Sequence, residues 1–255
     1  MAEASQGSET PDPGQGPSGI ERALMGLRPV DGSFFIGVTG AVASGKSTLS
    51  AALRDRLLAW PDRPSVELIG TDGFLHSNQA LDDLGLTARK GFPESYDTDA
   101  LRRALADARH GPIEVPGYSH VIYDVDPALA RRIDRPDILI IEGLGLDIDH
   151  DGGVARLLDA LIYLDAEEAD IEAWFVDRFL GLWAAAEHDP ASFYARFRSL
   201  DRDQAAGMAR TVWTGVNLPN LRQHISGARA LADIVVRKGP DHGILSVSLA
   251  ASAHP

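Results

Sequence analysis

The chain has 255 residues, with 24 Lys and Arg against 37 Asp and Glu for a formal charge of −13, and 44% of it is apolar against 24% charged. That balance describes a globular chain and argues against partners held by phosphate backbones or anionic lipid, so neither nucleic acid nor membrane is expected as a partner. The absence of Cys excludes disulfides, thiolate metal sites and thiol nucleophiles. With no export signal and no apolar run near the roughly 18 to 20 residues that cross a bilayer, the cytoplasm is the expected compartment.

Residues 1–19 hold ten Gly, Pro or Ser, three acids and no base, too little apolar surface to offset ordering entropy, and are expected to be a disordered tail. Residues 20–255 read as one domain. Its first element is a continuously apolar run, Phe34 to Val38, of the kind a parallel strand covered on both faces requires. Directly after it comes Gly40-Ala41-Val42-Ala43-Ser44-Gly45-Lys46-Ser47-Thr48, the phosphate-loop spacing of Gly, four residues, Gly-Lys-Ser. A Gly-rich turn can match by accident, but here it lies between a strand and the helical stretch Lys46 to Trp60, the context in which backbone N–H groups cradle phosphates. Lys46 then reaches the β and γ phosphates of a nucleoside triphosphate such as ATP, and Ser47 can ligate Mg²⁺.

A second strand, Val66 to Ile69, leads into Gly70-Thr71-Asp72-Gly73. An acid at a strand's carboxyl end lies in the crevice where open α/β sheets bind ligands, so Asp72 is either a base for a substrate hydroxyl or an Asx-turn residue. From Thr71 to Asp126 the chain holds one helix, Asp99 to Arg109, amid many Gly, Pro and Asp, and reads as long functional loops. Tyr118 and His120 lie there, with no local pattern to separate function from a loop aromatic. A third strand, Ile138 to Ile141, ends in Glu142, which either holds Mg²⁺ or solvates the strand end.

Leu161 to Leu164 is the fourth strand. The helix Ala166 to Trp183 follows, with Arg178 among Trp174, Phe175 and Phe179; this cation either stabilises a transferring phosphoryl group or sits solvated on an amphipathic face. A last helix, Asp201 to Val216, leads to Asn217, which also fits a helix C-cap, and Ile234 to Val236 is the fifth strand. Strand and helix in alternation predict a P-loop-type α/β fold: a doubly wound, mainly parallel sheet of about five strands with helices on both faces.

At Thr71 to Asp97, TDGFLHSNQALDDLGLTARKGFPESYD, together with GAVASGKST, the segment Val115 to Val125 and IIEGL, the chain closely resembles the bacterial type I pantothenate kinases, members of the phosphoribulokinase and uridine kinase group of P-loop kinases. The likeness runs from about Ser33 to His242. It implies transfer of phosphate from ATP with Mg²⁺ to the 4′-hydroxyl of pantothenate, the first step towards coenzyme A, in a homodimer. By the same resemblance Lys46 and Ser47 match phosphate and metal contacts, and Asp72 matches the acid facing the pantothenate hydroxyl. Lys90, Tyr118, His120, Arg178 and Asn217 match the lining of the substrate or phosphoryl pocket, and Lys238 and His242 fall in the adenine-side loop. The departures are a shorter segment before the first strand, Phe175 where the family has a substrate-touching Tyr, Ala51 and Leu182 where it has an Arg and a Phe associated with coenzyme A inhibition, and Gly145 in place of an Asn after the EGL turn. They leave two other readings open: a kinase of this architecture for another hydroxylated metabolite, such as a pantothenate analogue, glycerate or a nucleoside, or a nucleotide-binding switch with no acceptor.

Overall fold

The computed structural model describes residues 17–146 and 153–250. Six strands form one sheet: β1 Phe34–Gly40, β2 Val66–Gly70, β3 Ile138–Glu142, β4 Ala160–Asp165, β5 Ile234–Lys238 and β6 Ile244–Leu249. Their order is β6-β5-β4-β1-β3-β2, the first five in sequence being parallel and β6 pairing antiparallel with β5. The expected five-strand sheet is therefore extended by one. In β6 apolar residues alternate with Ser246 and Ser248 at a half-exposed edge, so no continuous apolar run marks it.

Alternation along the strands sends side chains into two separate cores. Phe34, Ile36, Val38, Ile140 and Ile162 pack on one face against Ile20 and Leu24 of α1 (Pro17–Leu27) and Leu53 and Leu57 of α2 (Lys46–Leu58). On the other face Phe35, Leu139, Ile141 and Leu161 meet Leu101 and Leu105 of α3 (Thr98–Ala108) and Trp174 of α4 (Glu168–Ala185). Such coverage of both faces is what continuous apolar strands need. Helix α1 corrects the tail boundary: it begins at Pro17, inside the segment expected to be disordered, while residues 1–16 lie outside the described residues. Ile20, Ala23, Leu24 and Leu27 recur at helical spacing and are the signal for it.

Other bounds shift little, with two exceptions. The Thr71 to Asp126 stretch is more ordered than a set of loops, adding a short helix at Asn78–Asp83 and two small antiparallel ribbons, Ile113–Val115 with Arg131–Ile133 and Tyr118–Ser119 with Asp124–Val125. The helix expected over Asp201 to Val216 is α5 (Arg202–Val212), which runs on through wide π-type turns at Trp213–Asn217 and Leu221–Ile225. Asn217 is thus inside a helical run rather than at a C-cap. Helices α4 and α5 pack as a hairpin in which Val176, Phe179 and Leu180 rest on Ala205 and Ala209. No described helix is long and apolar enough to cross a membrane.

At the amino edge of the sheet, Arg109 locks α3 to two strands. Its guanidinium donates to Ser33 O at 3.0 Å and Leu157 O at 2.7 Å, pairs with Asp159 at 3.1 Å, and lies 4.0 Å from the Phe35 ring centroid; Asp159 in turn accepts from Phe35 N at 2.7 Å. Arg109→Ala removes all of these from a part-buried position. It is expected to lower unfolding free energy in urea titration by about 2 to 3 kcal/mol while leaving turnover unchanged, because the clamp lies at the sheet edge away from the strand carboxyl ends.

Candidate active site

Three strand ends converge: Val38 and Gly70 both pair with Glu142, and Gly40 pairs with Leu164. Gly40 leaves β1 with φ +144°, and a Cβ there would stand 2.6 Å from Leu164 O, so only glycine makes this turn. Ala43 and Gly45 also have positive φ, 62° and 88°, which coils Ala41, Val42, Ala43 and Ser44 into a loop. Helix α2 then starts at Lys46 with no side-chain cap and no acid in its first turn. Its free N–H groups and partial positive charge are what an anion needs. Lys46 Nζ donates to Gly40 O at 3.1 Å and Ala41 O at 2.8 Å. Burial pulls its pKa down, and the carboxylates of Glu142 and Asp72 oppose that shift. Ser47 Oγ donates to Glu142 Oε1 at 2.8 Å, while Thr48 is exposed on the same turn.

Beside this loop lies a cavity of about 150 Å³ whose lining includes Val42, Ala43, Lys46, Ser47, Asp72, Lys90, Tyr118, His120, Glu142, Phe175, Arg178 and Asn217. Twelve residues named from sequence, spread over more than 170 positions of chain, thus face one space. Asp72 sits in a single 3₁₀ turn, Thr71–Phe74, after β2. Gly143, at φ +144°, lies so close to Thr71 that any Cβ would collide with Thr71 Oγ1, which brings the β3 end against the Asp72 turn. A larger open groove of about 1010 Å³ between α3 and Gly73 to Ala80 contains none of the predicted residues; size alone does not mark the chemistry.

The far side of the cavity is aromatic and basic. Lys90 Nζ donates to Asn78 Oδ1 and Tyr123 O, both at 2.6 Å, and lies 5.2 and 4.7 Å from the ring centroids of Tyr118 and Tyr123. Burial lowers its pKa, against the charges of Asp124 and Asp72. Burial likewise raises the phenol of Tyr118 and pushes that of Tyr123 up to about 12, so both stay protonated donors. His120 packs edge-on to Tyr118 at 5.1 Å. Phe175 tilts against Trp213 at 6.1 Å, and the Asn217 amide nitrogen is buried without a partner. Arg178, at i+3 from Phe175, has no ion pair among the described residues; its charge reaches Lys46, lowering that pKa, and Tyr123.

Lys238 and His242 lie outside this cavity, on the other flank of the phosphate loop. Lys238 Nζ donates to Ser44 O at 2.7 Å and is 3.4 Å from His242 Nδ1. The His242 ring stacks on Trp174 at 4.0 Å, and Trp174 Nε1 donates to Pro240 O at 2.8 Å. Sequence reasoning missed Tyr96, Tyr123, Tyr194 and Asn220, which also line the cavity. Tyr96 and Tyr123 were within reach, lying in the segments Thr71 to Asp97 and Val115 to Val125; Tyr194 and Asn220 come from a 3₁₀ turn and a short helix between π-type turns, with no motif signal.

This arrangement can bind a triphosphate at the loop and hold a second small molecule against Asp72. The pattern of the Phosphoribulokinase / Uridine kinase family matches residues 35–175. A pantothenate kinase of Parvibaculum lavamentivorans is 44% identical over 226 residues, covering 85% of this chain and 69% of that protein. One of Streptomyces avermitilis is 45% identical over the same shares. Among solved structures, a candidate fructose transport system kinase from Silicibacter sp. TM1040 superposes with a TM-score of 0.66 at 26% identity, covering 81% of this chain and 92% of that one. A phosphate loop on a mainly parallel sheet, the family match over more than half of the chain and this degree of kinship make the chain a small-molecule kinase belonging to the phosphoribulokinase and uridine kinase family.

Proposed function

We propose that the chain phosphorylates the 4′-hydroxyl of pantothenate with ATP, the first step towards coenzyme A. The observation that carries this reading is the single cavity in which the phosphate-loop Lys46 and the strand-end Asp72 face a shared space lined by Lys90, Tyr118, His120 and Asn217; kinship with proteins named pantothenate kinase supports the choice of acceptor. A hydroxylated acceptor with an apolar middle and a charged end suits walls that combine Tyr118, Tyr123, Phe175 and Phe179 with the cations Lys90 and Arg178.

In this reading the acceptor hydroxyl gives its proton to Asp72 as its oxygen bonds to the γ phosphorus and the bond to the β–γ bridging oxygen breaks, releasing ADP. Lys46, the open α2 terminus and Arg178 hold the phosphate charge. Lys238 and His242, beside Ser44, flank the nucleotide, and the loop from Gly40 to Thr48 wraps its phosphates. Ser47 Oγ and Glu142 Oε1, 2.8 Å apart, are hard oxygen donors that fit Mg²⁺. Among the described residues no group of three or more His, Asp or Glu side chains could hold a metal by itself, consistent with a metal held mainly through phosphates. When bound, Mg²⁺ supplies neutralisation of phosphate charge. A homodimer and a cytoplasmic location complete the reading.

Phe175, a cavity wall without a hydroxyl, favours the second reading, a different acceptor. A coupled ADP-release assay with pantothenate, uridine and glycerate separates them: turnover with pantothenate alone is expected, preference for either other acceptor replaces it, and no release with any of the three leaves a nucleotide switch. Lys46→Ala is expected to cut turnover about 100-fold or more with circular dichroism unchanged. Asp72→Asn should cut turnover by roughly 10² to 10⁴ while ATP affinity, read by titration calorimetry, stays near wild type; an equal fall in both would make Asp72 a metal or structural residue.

A further inference from the structure

Besides the buried Tyr96, whose hydroxyl has no hydrogen-bond partner, three phenols, Tyr118, Tyr123 and Tyr194, line the acceptor cavity, and none of their hydroxyls bonds another residue among the described residues. Tyr194 differs from the other two in origin. It stands in a 3₁₀ turn, Phe193–Phe197, in the connection between α4 and α5, capped by Ser192 Oγ on Tyr194 N. That turn is fastened to the opposite wall: Phe193 N donates to Val121 O at 2.7 Å, and the Phe193 ring lies 4.7 Å from that of Tyr123. The Tyr194 ring meets Phe179 edge-on at 5.4 Å. Its position is therefore set by packing, and its hydroxyl is left over for whatever fills the cavity. Burial raises its phenol pKa, so the group remains a donor. Phe175, which lines the same cavity and packs on the same apolar cluster as Tyr194, offers an apolar ring and nothing to bond.

We propose that Tyr194 is a specificity-determining residue of the acceptor site, its hydroxyl making a hydrogen bond to a polar group of the acceptor that the wall at Phe175 cannot make. The assignment rests on the pantothenate reading above. An acceptor that covers the Tyr194 hydroxyl without a matching polar group leaves it desolvated and unpaired, and one that carries the group satisfies it.

The test uses wild type, Tyr194→Phe and the double variant Tyr194→Phe/Phe175→Tyr, each assayed across pantothenate and ATP concentration series and by thermal melting. Tyr194→Phe keeps the ring contacts and is expected to raise the KM for pantothenate roughly two- to twelve-fold, with the KM for ATP and Tm unchanged. Returning a hydroxyl to the same cavity at position 175 in the double variant is expected to recover at least half of that loss. An unchanged pantothenate KM in Tyr194→Phe overturns the proposal, as does a rise accompanied by equal change in the ATP KM or a fall in Tm, which marks a structural role. A double variant no better than the single one overturns the exchange of the hydroxyl between positions 194 and 175. If wild type itself does not turn over pantothenate, the functional reading fails and takes the proposal with it; if wild type turns over and Tyr194→Phe matches it, the proposal alone fails.

Discussion

Everything at this site depends on how the chain leaves its central strand. Gly40 must turn at φ +144° where any Cβ would strike Leu164 O, and the loop that follows ends on a helix whose first turn carries neither a capping side chain nor an acid. An uncapped helix start costs stability, of the order of 1 kcal/mol against a good cap. It is retained where an anion takes the place of the cap. Because β1 lies between β3 and β4, the same turn sits next to Glu142 on one side and Leu164 on the other, and the Asp72 turn follows from the register of β2 with β3. The position of Asp72 is thus a consequence of sheet order.

The second constraint is charge in a small space. Lys46, Lys90 and Lys238 all have their pKa values lowered by burial, and for Lys46 and Lys90 nearby carboxylates oppose the shift. Asp72 acts on both Lys46 and Lys90, so it links the phosphate end to the acceptor end electrostatically as well as by position. Loss of its charge weakens the case for two buried ammonium groups at once. The aromatic lining adds to this: protonated phenols and ring faces give Lys90 a low-dielectric seat that water would not.

Much of this was legible in the sequence, for identifiable reasons. The five parallel strands are continuous apolar runs because both sheet faces are covered, and the phosphate loop is a motif whose glycines are demanded by φ and by contact. Asp72 and Glu142 were exposed by their place at strand ends. What stayed hidden follows equally physical lines. Strand β6 is a half-exposed edge with serines at alternate positions, and α1 begins within a run of Gly, Pro and Ser that masks its apolar spacing. Asn217 was read as compatible with a C-cap because helix-ending statistics do not foresee the π turn Trp213–Asn217, a feature that recurs at functional sites. Tyr194 and Asn220 reach the cavity from a 3₁₀ turn and a bulged helix, where tertiary packing rather than local pattern decides direction. Lys90, Phe175, Lys238 and His242 came from family resemblance alone; their side chains carry no local signal that separates them from ordinary surface or core residues.

The central claim is that donor phosphate and acceptor hydroxyl meet in one cavity and react in a single in-line displacement, with Asp72 taking the proton and no phosphorylated side chain in between. Turnover of ATP made chiral at the γ phosphorus with three oxygen isotopes, followed by configurational analysis of the phosphorylated product, tests it most directly. The account predicts inversion at phosphorus. Retention would mean two successive displacements through a phosphoenzyme, and would contradict it.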